Sequence, residues 1–143
     1  MIKYISDAEK TLTKLKKKKI KQIKKTKFNF STADIAPILR GLLSEKNDIK
    51  FILNFKKNSK LDYFINGKDI NRYSNEGTAT PDHVIRVKPF PLVISPKANC
   101  TLDDFKNLAE KKFKEYRQKY KKYFESNKKK TKEKKVMLDT SPR

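Results

Sequence analysis

Lysine-rich stretches near both ends of the chain limit where a hydrophobic core can form. Nine of the residues from 14 to 27 are lysines, and residues 126–135 are again mostly lysine. The chain has 143 residues, of which 36% are apolar and 37% charged, a low apolar content for a globular protein. We therefore expect one small folded centre, flanked by basic arms that are helical or loose.

The net charge of +21 points first to a nucleic acid or an anionic membrane surface as partner. Only five of the 37 basic residues are arginines, however. Arginine supplies the bidentate contacts to phosphate and guanine that dedicated nucleic-acid readers use. We therefore expect mostly solvated lysine surfaces and only non-specific binding of nucleic acid. A small lysine-rich nucleic-acid-binding protein is the alternative function, and a stand-alone interaction module is a third.

The single cysteine, Cys100, excludes an internal disulfide and a cysteine metal cluster. Polar and charged residues follow Met1–Ile5 at once, so the sequence predicts neither a signal peptide nor a membrane span. These features together predict a cytoplasmic protein in a reducing environment.

The hydrophobic pattern predicts an α+β fold that is mostly helical, with long N- and C-terminal helices and a few short strands between them. The first helix is predicted over residues 1–25, where apolar residues recur every three or four positions without an N-terminal cap. The last helix is predicted to begin with a capping box of Thr101 and Asp104. We expect its aromatic stripe to pack in the core rather than to stack on nucleobases; it comprises Phe113, Tyr116, Tyr120, Tyr123 and Phe124.

Two shorter helices are predicted between the long ones. Ser31 or Thr32 can cap a helix of about ten residues, which should start near Asp34 because Pro37 is tolerated only in a first turn. Ser59 can cap a second short helix.

Three β-prone runs complete the predicted fold. Residues 49–55, 83–88 and 91–95 are rich in apolar and β-branched residues and predict short strands. The last two should lie at sheet edges, because Pro89 and Pro91 flank them. A polar loop is predicted over residues 66–82.

The segment 77–88 holds the candidate substrate or interface residues. On a strand, Arg86 and Lys88 would point to the same face and could hold an anionic substrate. His83, the only histidine, stands beside Asp82 and could act as a general acid or a metal ligand. The alternative is that this segment is a turn that caps a strand, with Arg86 paired to a carboxylate.

A metal or nucleotide site within this chain is not predicted. One histidine and one cysteine, seventeen positions apart, cannot complete a zinc site without several carboxylates. Neither a Gly-x-Gly-x-x-Gly motif nor a Walker loop is present. No catalytic residue and no bound cofactor is therefore predicted here.

The stretch Thr80-Pro-Asp-His-Val-Ile-Arg86 resembles a characteristic segment of the bifunctional class II aldolase/short-chain dehydrogenases, of the rhamnulose-1-phosphate aldolase/lactaldehyde dehydrogenase type. Ile38-Leu-Arg-Gly-Leu42 is similar to a Leu-Arg-Gly helix of that family. Leu138-Asp-Thr-Ser-Pro-Arg143 resembles the junction ahead of its dehydrogenase domain. Met1-Ile-Lys-Tyr-Ile-Ser-Asp-Ala-Glu9 is similar to the helix after that family's aldolase core, so the likeness extends over nearly the whole chain.

The resemblance implies that this chain is the middle region of a longer polypeptide of deoxysugar catabolism, inactive alone. The parent would cleave a ketose 1-phosphate with zinc and oxidise the aldehyde with NAD. Its partners would be the aldolase and dehydrogenase domains of that parent, and a sugar phosphate could bind. The expected division is a basic helix with a truncated start (1–27), a connector (28–126), and a basic tail with the interdomain junction (127–143).

Overall fold

The computed structural model describes residues 2–15, 20–24, 26–44, 50–78 and 80–142. These residues form six helices: α1 (Ile2–Lys14), α2 (Thr32–Ser44), α3 (Ser59–Ile65), α4 (Ile70–Tyr73), α5 (Pro81–Arg86) and α6 (Leu102–Lys128). The described part is thus mostly helical, as predicted. No helix in it is both long and apolar enough to cross a membrane.

The long helix α6 organises the core. The capping box at its start is as predicted: Thr101 Oγ1 accepts from the Asp104 amide at 3.1 Å, and the Asp104 carboxylate accepts from the Thr101 amide at 3.0 Å. These bonds satisfy amides that the first helical turn would otherwise leave unpaired. Three members of the predicted aromatic stripe are buried, namely Phe113, Tyr116 and Tyr120, whereas Tyr123 is exposed and Phe124 half-buried. Phe105 and Ala109 complete the buried face of α6.

The helix α2 packs against α6. Arg117 of α6 is buried and donates through Nη2 to the carbonyl oxygen of Leu42, 2.6 Å away, near the end of α2. Unpaired carbonyls at a helix C-terminus attract cations, so this contact ties the two helices together. The helix α2 begins at Thr32, two residues before the predicted start near Asp34, because the Ser31 hydroxyl caps it by accepting from the Ala33 amide.

The predicted helix over residues 1–25 is wrong at residues 20–24, whereas residues 16–19 and 25 lie outside the described part of the structure. The helix α1 ends at Lys14, and residues 20–24 are not helical. Gln22 instead forms an isolated antiparallel bridge with Gly67, supported by a 2.8 Å bond from the Ile23 amide to the Asn66 carbonyl. Gly67 allows this approach because Tyr73 and Ile20 leave no room for a Cβ atom.

The predicted strands are absent from the described residues, so the α+β assignment is not confirmed. Residues 83–86 belong to α5, because Pro81 occupies the first helical turn and Thr80 stands at the N-cap. Residues 50–55 and 91–95 have no regular secondary structure. Their β-prone side chains lack a neighbouring strand, which a ladder requires whatever the local propensity.

Two further predictions need correction around α3. Asn58, not Ser59, caps this helix, and its side chain accepts from the Leu61 amide at 2.9 Å. The polar loop predicted between residues 66 and 82 contains α4 and the start of α5.

Candidate functional site

The predicted substrate loop places its four candidates in different environments. Asp82 and His83 lie on the exposed side of α5. His83 Nδ1 lies 2.7 Å from Thr80 Oγ1, so the imidazole contacts the N-cap residue of its own helix. The side chain of Arg86 lies outside the described part of the structure. The predicted alternation of Arg86 and Lys88 on a strand is wrong, because Arg86 ends a helix.

Lys88, in contrast, is buried, with only 4% of its surface exposed. Its ammonium donates to the Asp139 carbonyl and lies 3.7 Å from the centre of the Tyr120 ring. Contact with a ring face and with a carbonyl dipole stabilises a cation that has left water. The ammonium therefore faces the C-terminal segment and α6, and does not face solvent.

The C-terminal segment 136–142 folds back onto α6 around this lysine. Met137 packs against the cluster of Phe90, Tyr116 and Tyr120, and Ser141 is fully buried. The Lys88–Asp139 contact joins residues 51 positions apart, which is why local patterns could not reveal it. We call this arrangement the Lys88 clamp.

The tyrosine beside the clamp is held in its neutral form. Burial raises the pKa of Tyr116 strongly, and the nearby Tyr120 and Asp139 raise it further. Its hydroxyl donates to the Phe90 carbonyl at 3.1 Å. A neutral donor with a fixed acceptor stabilises the packing here and offers no base for proton transfer.

The described residues contain no group of three or more histidine, cysteine or carboxylate side chains that could hold a metal ion. The thiol of Cys100 lies outside the clamp, and desolvation raises its pKa, with a smaller contribution from the Asp104 carboxylate. A raised pKa keeps a thiol protonated and poorly nucleophilic.

Exposed apolar side chains form a second notable feature. Every described side chain of α1 is exposed except that of Ser6, so this amphipathic helix does not bury its apolar face. In the segment 50–58, Ile52 is 97% exposed and Phe55 46%. We call the exposed apolar residues of these two regions, together with Leu15 directly after α1, the apolar docking surface; they are Tyr4, Ile5, Leu12, Leu15, Ile52 and Phe55. On α1 the exposed apolar residues share one helical face, and contiguous exposed apolar residues mark interaction sites more often than isolated ones do.

The fold and these surfaces define a small helical domain built around one amphipathic helix. Residues 30–143 match the family described as "Aldolase class II, second domain". This match spans most of the chain, so the chain belongs to the family of class II aldolase second domains. No curated protein and no solved structure matches it. The predicted relation to class II aldolases is therefore confirmed at the level of the family.

Proposed function

We propose that the chain acts as a non-catalytic domain that packs against the catalytic domain of a class II aldolase. The family match over residues 30–143 carries this proposal, because a second domain implies a first domain beside it. The resemblance to class II aldolases further implies a zinc site built from several histidines. This chain has one histidine, so a different domain would supply that site.

The apolar docking surface supplies the contact for that partner. A β-prone segment with Ile52 almost fully exposed has apolar area and backbone groups that a neighbouring strand or sheet edge could cover. The apolar face of α1 offers a helical counterpart. The occupant that we propose for both is the catalytic aldolase domain.

The reaction of the assembled enzyme would be the retro-aldol cleavage of a ketose 1-phosphate with zinc. Support for the finer assignment comes from the stretch Thr80–Arg86, which resembles the rhamnulose-1-phosphate aldolase/lactaldehyde dehydrogenase type. On this proposal a short-chain dehydrogenase domain follows in the same polypeptide and oxidises the aldehyde with NAD. The enzyme would act in the cytoplasm in deoxysugar catabolism, and this chain alone would be inactive.

Within this proposal, Asp82, His83 and Arg86 are residues for an interdomain or sugar-phosphate contact. The exposure of Asp82 and His83 on α5 supports such a contact. Lys88 would act indirectly, since its ammonium already contacts Asp139 and Tyr120.

Titration calorimetry of this chain against a catalytic class II aldolase domain from the same source tests the docking. We expect micromolar or tighter binding, weakened at least about tenfold, or about 1.4 kcal/mol, by Ile52→Glu. Asn54→Glu is the matched control, because it adds the same charge to a polar exposed position of the same segment. Equal binding by the two variants would contradict the docking surface. Absence of binding by the unaltered chain would contradict the proposed function.

The second half of α6 and the turn after it favour the alternative of nucleic-acid binding. Residues 117–135 hold ten basic residues against two glutamates; nine are lysines, and the tenth is the buried Arg117. Because nearly all are lysines, we propose only non-specific contacts to phosphates, with affinity that falls steeply as salt increases. Sub-micromolar binding of duplex DNA at physiological salt would favour the alternative over the aldolase domain.

A further inference from the structure

A cavity between residues 23–24 and 26–28 and the α3–α4 region lies apart from the Lys88 clamp, and meets the segment 50–58 only at Lys57. Its volume is about 570 Å³, within the range of small-molecule sites in proteins. The segment 91–96 forms its other wall.

Apolar side chains form most of the cavity wall. Aromatic rings and branched aliphatic groups come from all three chain segments: Ile23, Phe28, Phe64, Ile65, Leu92 and Val93. Such a lining favours a ligand with an apolar body, because binding removes the apolar surfaces of both ligand and cavity from water.

One polar side chain of the cavity wall is buried without a partner. Ser74 is 8% exposed and lines the cavity, and its hydroxyl oxygen has no hydrogen-bond partner among the described residues. Leaving a buried hydroxyl unpaired costs about 1–3 kcal/mol. Rotation about the Cα–Cβ bond of serine would direct this donor to a bound acceptor.

The charges at the cavity favour an anion. Lys24 and Lys57 both line it, and neither forms an ion pair with another described residue. Asp62 is the one carboxylate of the lining. The surrounding protein carries a net charge of +21, which adds to the positive potential.

We propose that this cavity binds a small amphiphilic anion, with an apolar body of about ten carbons or two fused rings and a single carboxylate, sulfonate or phosphate head. The head contacts Lys24 and Lys57 and accepts from the Ser74 hydroxyl. The body packs between Phe64 and the 91–96 segment. The site does not depend on the proposed aldolase docking.

Fluorescence titration with 8-anilinonaphthalene-1-sulfonate tests this site, with the uncharged N-phenyl-1-naphthylamine as the matched probe. We expect the sulfonate to bind more tightly than the neutral probe by about tenfold, since charge-assisted contacts favour the anion. Decanoate and decyl phosphate should displace the sulfonate, and their ratio of affinities distinguishes a carboxylate from a phosphate ligand. Equal binding of the charged and neutral probes would overturn the proposal.

Variants locate the binding. Lys57→Glu should weaken the sulfonate about tenfold, while Lys121→Glu, the same change on the exposed side of α6, should have little effect. Ser74→Ala removes the hydroxyl with little change in shape and should weaken the sulfonate but not the neutral probe. Val93→Trp enlarges a side chain of the cavity wall and should abolish the binding of both probes. Sulfonate binding that survives Val93→Trp, or that Lys57→Glu and Lys121→Glu weaken equally, would show that the site lies elsewhere.

Discussion

The two amphipathic helices α1 and α6 have similar sequence patterns and opposite environments. Both carry apolar residues at helical spacing with lysines on the other side. In α6 the apolar face is buried, with Phe113 at 3% exposure, whereas Leu12 of α1 is 65% exposed. An amphipathic pattern therefore identifies a helix with a face to bury, but does not identify what covers it. For α6 the cover lies within this chain; for α1 we propose that it lies in the catalytic domain.

The largest expected difference between the two helices concerns stability. Phe113→Ala should lower the free energy of unfolding by about 3–5 kcal/mol, because it removes a buried ring and leaves a cavity. Leu12→Ala should lower it by less than about 0.5 kcal/mol, because an exposed side chain gives up little contact. Denaturant unfolding followed by circular dichroism measures both. Similar losses would mean that α1 buries its face within the isolated chain.

A second prediction concerns the Lys88 clamp, which holds the C-terminal segment 136–142 against the buried face of α6. Lys88→Met keeps the apolar stem but removes the donor to the Asp139 carbonyl, at a cost of about 1–3 kcal/mol. Amide hydrogen exchange in residues 137–142 should become faster, with α1 unaffected. Lys121→Met serves as the control, since Lys121 is exposed. Unchanged exchange in the segment would show that the clamp does not hold it.

The smallest effect is expected at the capped start of α6. Thr101→Ala should destabilise the protein by about 1 kcal/mol near neutral pH, because the Asp104 amide loses its acceptor. Hydrogen bonds from the Thr101 side chain and backbone lower the pKa of Asp104. A carboxyl group with a lowered pKa in the folded state stabilises the fold at pH values above the ordinary aspartate pKa. This contribution to stability is lost as the pH falls through the pKa of the folded state. The difference in stability between the two proteins should therefore narrow in acid, where only the loss of the bond from the Asp104 amide to Thr101 Oγ1 remains. A difference that does not change with pH would exclude a contribution from the Asp104 carboxylate.

The local features of the fold could be predicted from the sequence. The capping box of Thr101 and Asp104 and the buried stripe of α6 follow from spacing alone, since both depend on residues within a few positions of each other. The strand at 83–88 was wrong because Pro81 at the start of a helix outweighed the β-branched residues after it.

The candidate site was less predictable than the helices. Segment 77–88 was identified, but its members do not converge, because Lys88 is buried while Asp82 and His83 are exposed. The cavity at Ser74 joins three segments distant in sequence, so no local pattern could indicate it. The relation to class II aldolases could be recognised from short motifs, whereas the docking surface required knowledge of which apolar residues stay exposed.

Hydrogen–deuterium exchange of this chain, alone and with the catalytic class II aldolase domain, tests the central claim most directly. We predict that the partner slows exchange in residues 2–15 and 50–58 at least about tenfold, since covered amides open less often, and leaves the buried face of α6 unchanged. Unaltered exchange in both segments, or protection confined to the lysines of residues 117–135, would contradict the proposal that these apolar surfaces receive the catalytic domain.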